Sequence, residues 1–248
     1  MKCLHWERLY KSMKRFQEYE VTSLTEVEKD YPRGLRDISA KPKILYYKGN
    51  IGIINQNKNI AVIGTRKMSE KGGELAYQTG REVAQKGLNL VNGLALGCDA
   101  AAVRGALSVG GKCIAIMPCG LEQVQPRSNC KLAEEILEKG GCLLSEYPCG
   151  TGIQKHQYIA RDRIQSGISQ GVIIIEMEEK SGTMHTAEFA LSQYKRLACY
   201  YAKMVELSSG NQLLAENMRV QILNSLEDSR EFIDLVADEV DYRQMTLF

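Results

Sequence analysis

The chain has 248 residues, 44% hydrophobic and 25% charged, which is the composition of a globular protein with a sizeable core rather than a disordered one. Its 32 basic and 30 acidic side chains leave a formal net charge of +2 at pH 7, which excludes a nucleic-acid binder acting through bulk positive charge. No apolar run reaches the roughly 18 residues of a membrane span, and the N-terminal MKCLHWERLYKSMKRF carries charges where a secretory signal needs an apolar segment.

The near-neutral total hides an asymmetry. Residues 1–50 hold eleven basic and seven acidic side chains, residues 51–205 eighteen and fourteen, and residues 206–248 three and nine. A mildly positive body with local anion sites and an acidic tail is expected. The eight cysteines (Cys3, Cys98, Cys113, Cys119, Cys130, Cys142, Cys149 and Cys199) form no C-x-x-C pair. Without an export signal they read as free thiols of a cytoplasmic chain. Only His5, His156 and His185 could add imidazole ligands, so no metal and no cofactor are expected.

Residues 1–30 read as a short leader of one or two amphipathic helices, and residues 31–58 as irregular, punctuated by Tyr31-Pro32 and Lys41-Pro42. Asn59 to Ile63 is a buried strand, followed by Gly64-Thr65-Arg66 and a helix from Ser69 to Gln85 with Ser69 as its cap. Leu88 to Val91 is the next strand, Cys98 to Leu107 a helix, and Lys112 to Met117 a third strand. A helix from Asn129 to Glu138, a strand from Gly141 to Ser145 and a helix from Tyr158 to Gly167 follow. Gly171 to Glu176 is the most apolar strand, then come a helix from Thr183 to Tyr194 and a short strand from Ala198 to Tyr201. The tail from residue 206 is predicted to be helical and packed on the body. Strands without polar alternation, separated by helices, imply a Rossmann-like, doubly wound α/β fold: a mainly parallel sheet with helices on both faces. Three parts are expected: the leader 1–30, the core 31–205 and the C-terminal segment 206–248.

In such a sheet ligands bind beyond the carboxyl ends of the strands, and here those ends are rich in Gly, Ser, Thr and Arg. Gly64-Thr65-Arg66 precedes a helix start whose N–H groups attract anions, and Arg66 can add a bidentate phosphate contact; it also reads as an ordinary strand-to-helix turn. Gly93 lies in a small-residue stretch where Asp99 reads best as a helix cap. Lys155, Arg161 and Arg163 flank Tyr158, the cation-and-aromatic combination that single-stranded nucleic acid uses, or else a plain surface helix. Ser181-Gly182-Thr183 opens a helix and can offer hydroxyls and N–H groups to a phosphate, while Glu176, Glu178 and Glu179 would oppose an anion unless they point elsewhere. His185 reads as a helix-surface residue.

Taken in order, these segments resemble the DNA-processing protein A (DprA/Smf) family over roughly Tyr31 to Asp228. The resemblance is carried by Tyr31-Pro32 with Leu35, Pro42 and Leu45 to Gly49; by Gly64-Thr65-Arg66; by Gly93-Leu94-Ala95 with Gly97 and Asp99; and by Gly120-Leu121-Glu122 with Pro126 and Asn129. Ser145-Glu146 with Pro148 and Gly150, Arg161, Arg163, Ile164 and Gly167 with Ser169, Ser181-Gly182-Thr183 with Thr186-Ala187, and Gly210-Asn211 with Leu214 complete it. Asn92, Val103, Gln125, Tyr158, Ile159 and Asp162 depart from the family's usual Ser, His, Tyr, Phe, Pro and Asn. The chain therefore reads as a minimal or divergent member, with a short leader and no winged-helix-like tail expected.

The resemblance implies a homodimeric, non-enzymatic protein that binds single-stranded DNA on the sheet rim and loads the RecA recombinase in natural transformation. Carried over, Arg66 with the Gly64 and Thr65 backbone holds one phosphate, Lys155 the next, Tyr158 stacks on a base, and Arg161 and Arg163 enlarge the positive field, unless one of them is a buried structural pair. Gly93, Ser181, Gly182 and Thr183 complete the expected nucleic-acid site. The alternative is a nucleotide sensor or nucleoside-monophosphate hydrolase on the same fold, and a third reading is a scaffold that only dimerises.

Overall fold

A computed structural model of the chain describes residues 16–239 apart from 207 and 208. Its centre is a nine-stranded sheet in the order β1-β2-β6-β5-β4-β3-β7-β8-β9. The strands are β1 Thr22–Thr25, β2 Ile44–Gly49, β3 Asn59–Ile63, β4 Asn89–Asn92, β5 Cys113–Met117, β6 Cys142–Ser145, β7 Gly171–Ile174, β8 Arg196–Tyr200 and β9 Val220–Leu223. From β6 to β9 all neighbours are parallel, whereas β2 joins β6 and β1 joins β2 antiparallel.

The helices are α1 Ile53–Gln56, α2 Glu70–Gln85, α3 Cys98–Ser108, α4 Cys130–Glu138, α5 Lys155–Ile168, α6 Gly182–Ser192, α7 Ser209–Ala215 and α8 Leu226–Asp238. Successive residues of each central strand feed opposite cores, because strand side chains alternate faces. Ile60 and Val62 of β3 join Leu75, Val103, Ile136 and Phe232 on one face. Ala61 and Ile63 join Leu35, Ile164, Ile168 and Ala187 on the other. All five residues of β3 and all four of β7 are buried, which is why these strands read as unbroken apolar runs.

The small-residue helix α3 lies directly against α2. A Cβ on Gly80 would meet the Ala102 carbonyl oxygen at 2.1 Å, and one on Gly105 the Tyr77 carbonyl oxygen at 2.0 Å. The Ser69 hydroxyl accepts from the Gly72 amide at 3.0 Å and caps α2 as the sequence predicts.

Three expectations fail. Residues 1–15 and 240–248 lie outside the described residues, but Thr22–Thr25 of the expected helical leader is a strand, as is Ile44–Gly49 of the stretch read as irregular. The tail is not wholly helical: Val220–Leu223 extends the sheet beside β8, between α7 and α8. These strands sit toward the sheet's margins, where burial is incomplete, so they lack the apolar signature of β3.

Winding reverses at β3. From it the chain builds β4, β5 and β6 toward one margin, then returns to place β7 on its other side. The ends of β3 and β7 therefore flank the topological switch point, where open α/β sheets form their ligand crevice.

Candidate nucleic-acid interface

The loops after β3, β4 and β7 meet at this switch point. The Thr65 amide donates to the Glu176 carbonyl oxygen at 2.7 Å, and the Cys98 amide to the Thr65 carbonyl oxygen at 3.1 Å. Asp99, in the first turn of α3, is buried and accepts from the Gly93 amide at 3.1 Å and the Ala95 amide at 3.2 Å. The Gly64 amide also bonds to it. Burial pushes the Asp99 carboxyl up, opposed by Arg161 and by these three amides.

The chain thus supplies its own anion to the glycine-rich loops. The Gly64 and Thr65 amides, expected to hold a phosphate, are already engaged by Asp99 and Glu176, and so is the Gly93 amide by Asp99. That corrects the backbone part of the carried-over site, and it corrects the reading of Asp99 as a cap: α3 has Gly97 at its N-cap and no side-chain cap, and the Asp99 carboxylate instead ties two loops together. Asn92, which departs from the family pattern, fits the same knot, donating to the Asp99 carbonyl oxygen at 3.0 Å and accepting from the Leu94 amide at 3.0 Å. One sequence signal was available: a carboxylate in the first turn of a helix that follows a glycine-rich loop.

Side chains are what remain for a ligand. The Arg66 guanidinium lies over the Tyr158 ring, 5.0 Å from its centroid, a cation–π pair joining the β3 loop to α5. Lys155, exposed at the start of α5, is three residues before Tyr158 and so its neighbour on the helix surface. Among the described residues neither Arg66 nor Lys155 forms an ion pair.

Arg161 and Arg163 differ from these two. Arg161 is buried, with Nε 3.0 Å from Asp162 Oδ1 and Nη1 donating to Gln165 Oε1 at 3.0 Å. Its guanidinium occupies the space a side chain at position 93 would need, since a Cβ on Gly93 would lie 1.1 Å from Nη1. Gly93 is therefore glycine to admit Arg161. Arg163 Nη2 donates to both Glu146 oxygens, at 2.6 and 2.8 Å. Neither arginine enlarges the open field as expected; both are structural pairs.

Asp162, a departure from the family's usual Asn, is buried as well. Burial pushes it up to about 6; Arg161 opposes this, Asp99 adds to it, and His185 and Arg66 hold it down. His185 lies 3.7 Å from Glu188 on α6.

On the β7 side, Glu176 turns inward, accepting from the Ser69 amide at 2.9 Å and the Glu206 amide at 3.1 Å. Only Glu178 and Glu179 of the acidic cluster are exposed. Ser181-Gly182-Thr183 begins α6 on the same rim, and Ser181 Oγ has no hydrogen-bond partner among the described residues. The rim offers Arg66 and Lys155, with exposed Lys67 and Lys180 on the same loops, one aromatic face and a helix start, a set suited to a phosphodiester backbone with an adjoining base. The described residues contain no grouping of three or more metal-ligating side chains and no helix long and apolar enough to cross a membrane.

The sequence family described as DNA recombination-mediator protein A matches residues 22–234. DNA processing protein DprA of Bacillus subtilis is 28% identical over 239 residues, covering 96% of this chain and 80% of that protein. Protein Smf of Escherichia coli is 36% identical over 166 residues, covering 66% of this chain and 43% of that protein, so this chain spans less than half the length of that relative. DNA processing protein A from Helicobacter pylori, whose structure was described for its single-stranded DNA binding mode, superposes with a TM-score of 0.77 at 28% identity, covering 88% of this chain and 96% of that one. With the family's pattern running through nearly the whole sheet and its rim, the chain belongs to the DNA recombination-mediator protein A (DprA/Smf) family.

Proposed function

We propose that this chain binds single-stranded DNA with little sequence preference, without catalysis, and acts as a homodimeric recombination mediator that delivers the strand to a RecA-type recombinase. The observation that carries the reading is the Arg66–Tyr158 stack at the switch point, with Lys155 one helical turn away. Arg66 and Lys155 contact successive phosphates, and a base stacks on the half-buried Tyr158 ring. Ser181, Gly182 and Thr183 offer a further phosphate position. Gly64, Thr65 and Gly93 shape the loops rather than touch the strand. The relationship to the Helicobacter pylori protein supports the choice of ligand.

The test is fluorescence anisotropy with a labelled poly-dT oligonucleotide at two salt concentrations, against duplex DNA and free nucleotides as competitors. Arg66→Ala and Lys155→Ala should each weaken binding about tenfold, roughly 1.4 kcal/mol, across all sequences. Both variants binding like wild type would refute the assignment.

A further inference from the structure

Building on the proposed strand-binding site, we infer that Asp162 couples occupation of the Arg66–Tyr158 rim to uptake of a proton. The Asp162 carboxylate is 5% exposed, lies 3.0 Å from Arg161 Nε, and stands one helical turn along α5 from Tyr158, over whose ring Arg66 lies at 5.0 Å. The charged groups facing it come from four elements: Arg161 on α5, Asp99 on α3, His185 on α6 and Arg66 on the β3 loop. One buried cation, Arg161, serves two buried carboxylates, Asp99 and Asp162. Arg66 is the other arginine that favours ionised Asp162, and it is the residue that meets the strand.

A phosphate held by Arg66 therefore acts on Asp162 in two ways. It takes up the Arg66 field, and it brings a new negative charge toward a carboxylate already poor in compensation. Both changes favour the neutral carboxyl. Asp99 is less suited to this role, because three amides hold its oxygens. Asp162 is also poised to respond, since in the free protein burial has already brought it to about 6. Around and above that pH the bound form holds the proton more tightly than the free form. Affinity must then rise as pH falls, by at most about tenfold per pH unit for one proton.

The experiment is anisotropy with labelled poly-dT at constant ionic strength from about pH 5.5 to 8. It compares the wild type, Asp162→Asn, and a His156→Gln/His185→Gln double variant. The wild type should bind several-fold more weakly for each unit from pH 6 to 7.5. Asp162→Asn should bind about tenfold tighter than wild type at pH 7.5 and lose that dependence. The double-histidine variant should keep it. A wild-type profile in Asp162→Asn, or loss of the dependence in the double-histidine variant, overturns the inference.

Should Asp162→Asn not fold, binding enthalpies of the double-histidine variant near pH 6.5 are measured in two buffers of different ionisation enthalpy. A difference reports the proton taken up, and equal enthalpies overturn the coupling. Absence of oligonucleotide binding at every pH is a distinct result that removes the strand-binding site and the coupling with it.

Discussion

Gly93→Ala separates a glycine that admits Arg161 from one that lets a strand approach. The added methyl would stand 1.1 Å from Arg161 Nη1, 2.0 Å from Cζ and 2.4 Å from Nη2, so the guanidinium cannot keep its place. Its departure breaks the 3.0 Å contact with Asp162 and the 3.0 Å bond to Gln165. Two buried carboxylates then lose their shared buried cation. Removing one partner of a buried pair costs roughly 3–5 kcal/mol. The arginine's long stem lets its head swing toward solvent, which sets the expectation at the lower end, about 3 kcal/mol. In a chain of this length that lowers Tm by roughly 6–12 °C. Urea unfolding followed by far-UV circular dichroism measures the loss. In an Arg161→Ala background the same Gly93→Ala change should cost less than about 1 kcal/mol, because nothing is left to displace. Equal losses in both backgrounds, or a Gly93→Ala chain within about 0.5 kcal/mol of wild type, would refute the packing account.

The division of the four cations is testable through salt. For single strands each neutralised phosphate contributes about 0.7 to the slope of log affinity against log salt. Arg66→Ala should reduce the slope by about that amount. Arg163→Ala should leave it unchanged while lowering stability by about 1–3 kcal/mol, since Glu146 loses its charged donor. Asp162 also sets a pH dependence of stability: its carboxyl is raised from 3.8 to about 6, so between those values the folded chain holds the proton more tightly than the unfolded one. Wild-type stability relative to Asp162→Asn should be greatest below pH 4, fall by about 3 kcal/mol as pH rises through 4 to 6, and level off above 7, as urea titrations of both chains would register.

How far the sequence could be read depended on where each element sits. β3 and β7, buried on both faces, announce themselves as NIAVI and GVII. The strand ILYYKG of β2 does not, because it mixes exposed and buried positions and includes Lys48, whose buried stem ends in a hydrogen bond to the Phe16 carbonyl oxygen at 3.1 Å. β9 failed for a related reason: its leucine and isoleucine positions join neighbouring ones in a spacing that also suits a helix. The rim was legible because strand-end glycines and hydroxyls mark the switch point whatever their bonding. What filled the loops was not. A glycine-rich turn advertises free amides, but only the fold brings Asp99 back onto Gly64, Gly93 and Ala95, or sets the Glu176 carbonyl against Thr65.

The same distinction governs how strongly one site can hold a strand. Between Lys155 and Ser169 the sequence has three cations and one acid, a pattern suggesting a strongly positive helix. Folding cancels most of it: Arg163 is neutralised by Glu146 from the β6 side, and Arg161 is shared between Asp99 and Asp162 beneath the surface. The field left at the rim comes from Arg66 and Lys155 with exposed Lys67 and Lys180 on the adjoining loops, against exposed Glu178 and Glu179. Two phosphates and one stacked base make a modest grip. In a homodimer the second contact becomes intramolecular, so affinity grows through effective concentration without further cations. On the proposed reading a nearly neutral chain would in this way hold a polyanion: the charge withheld from the surface organises the loops, and duplication of the rim in the proposed homodimer would supply the strength that a single rim lacks.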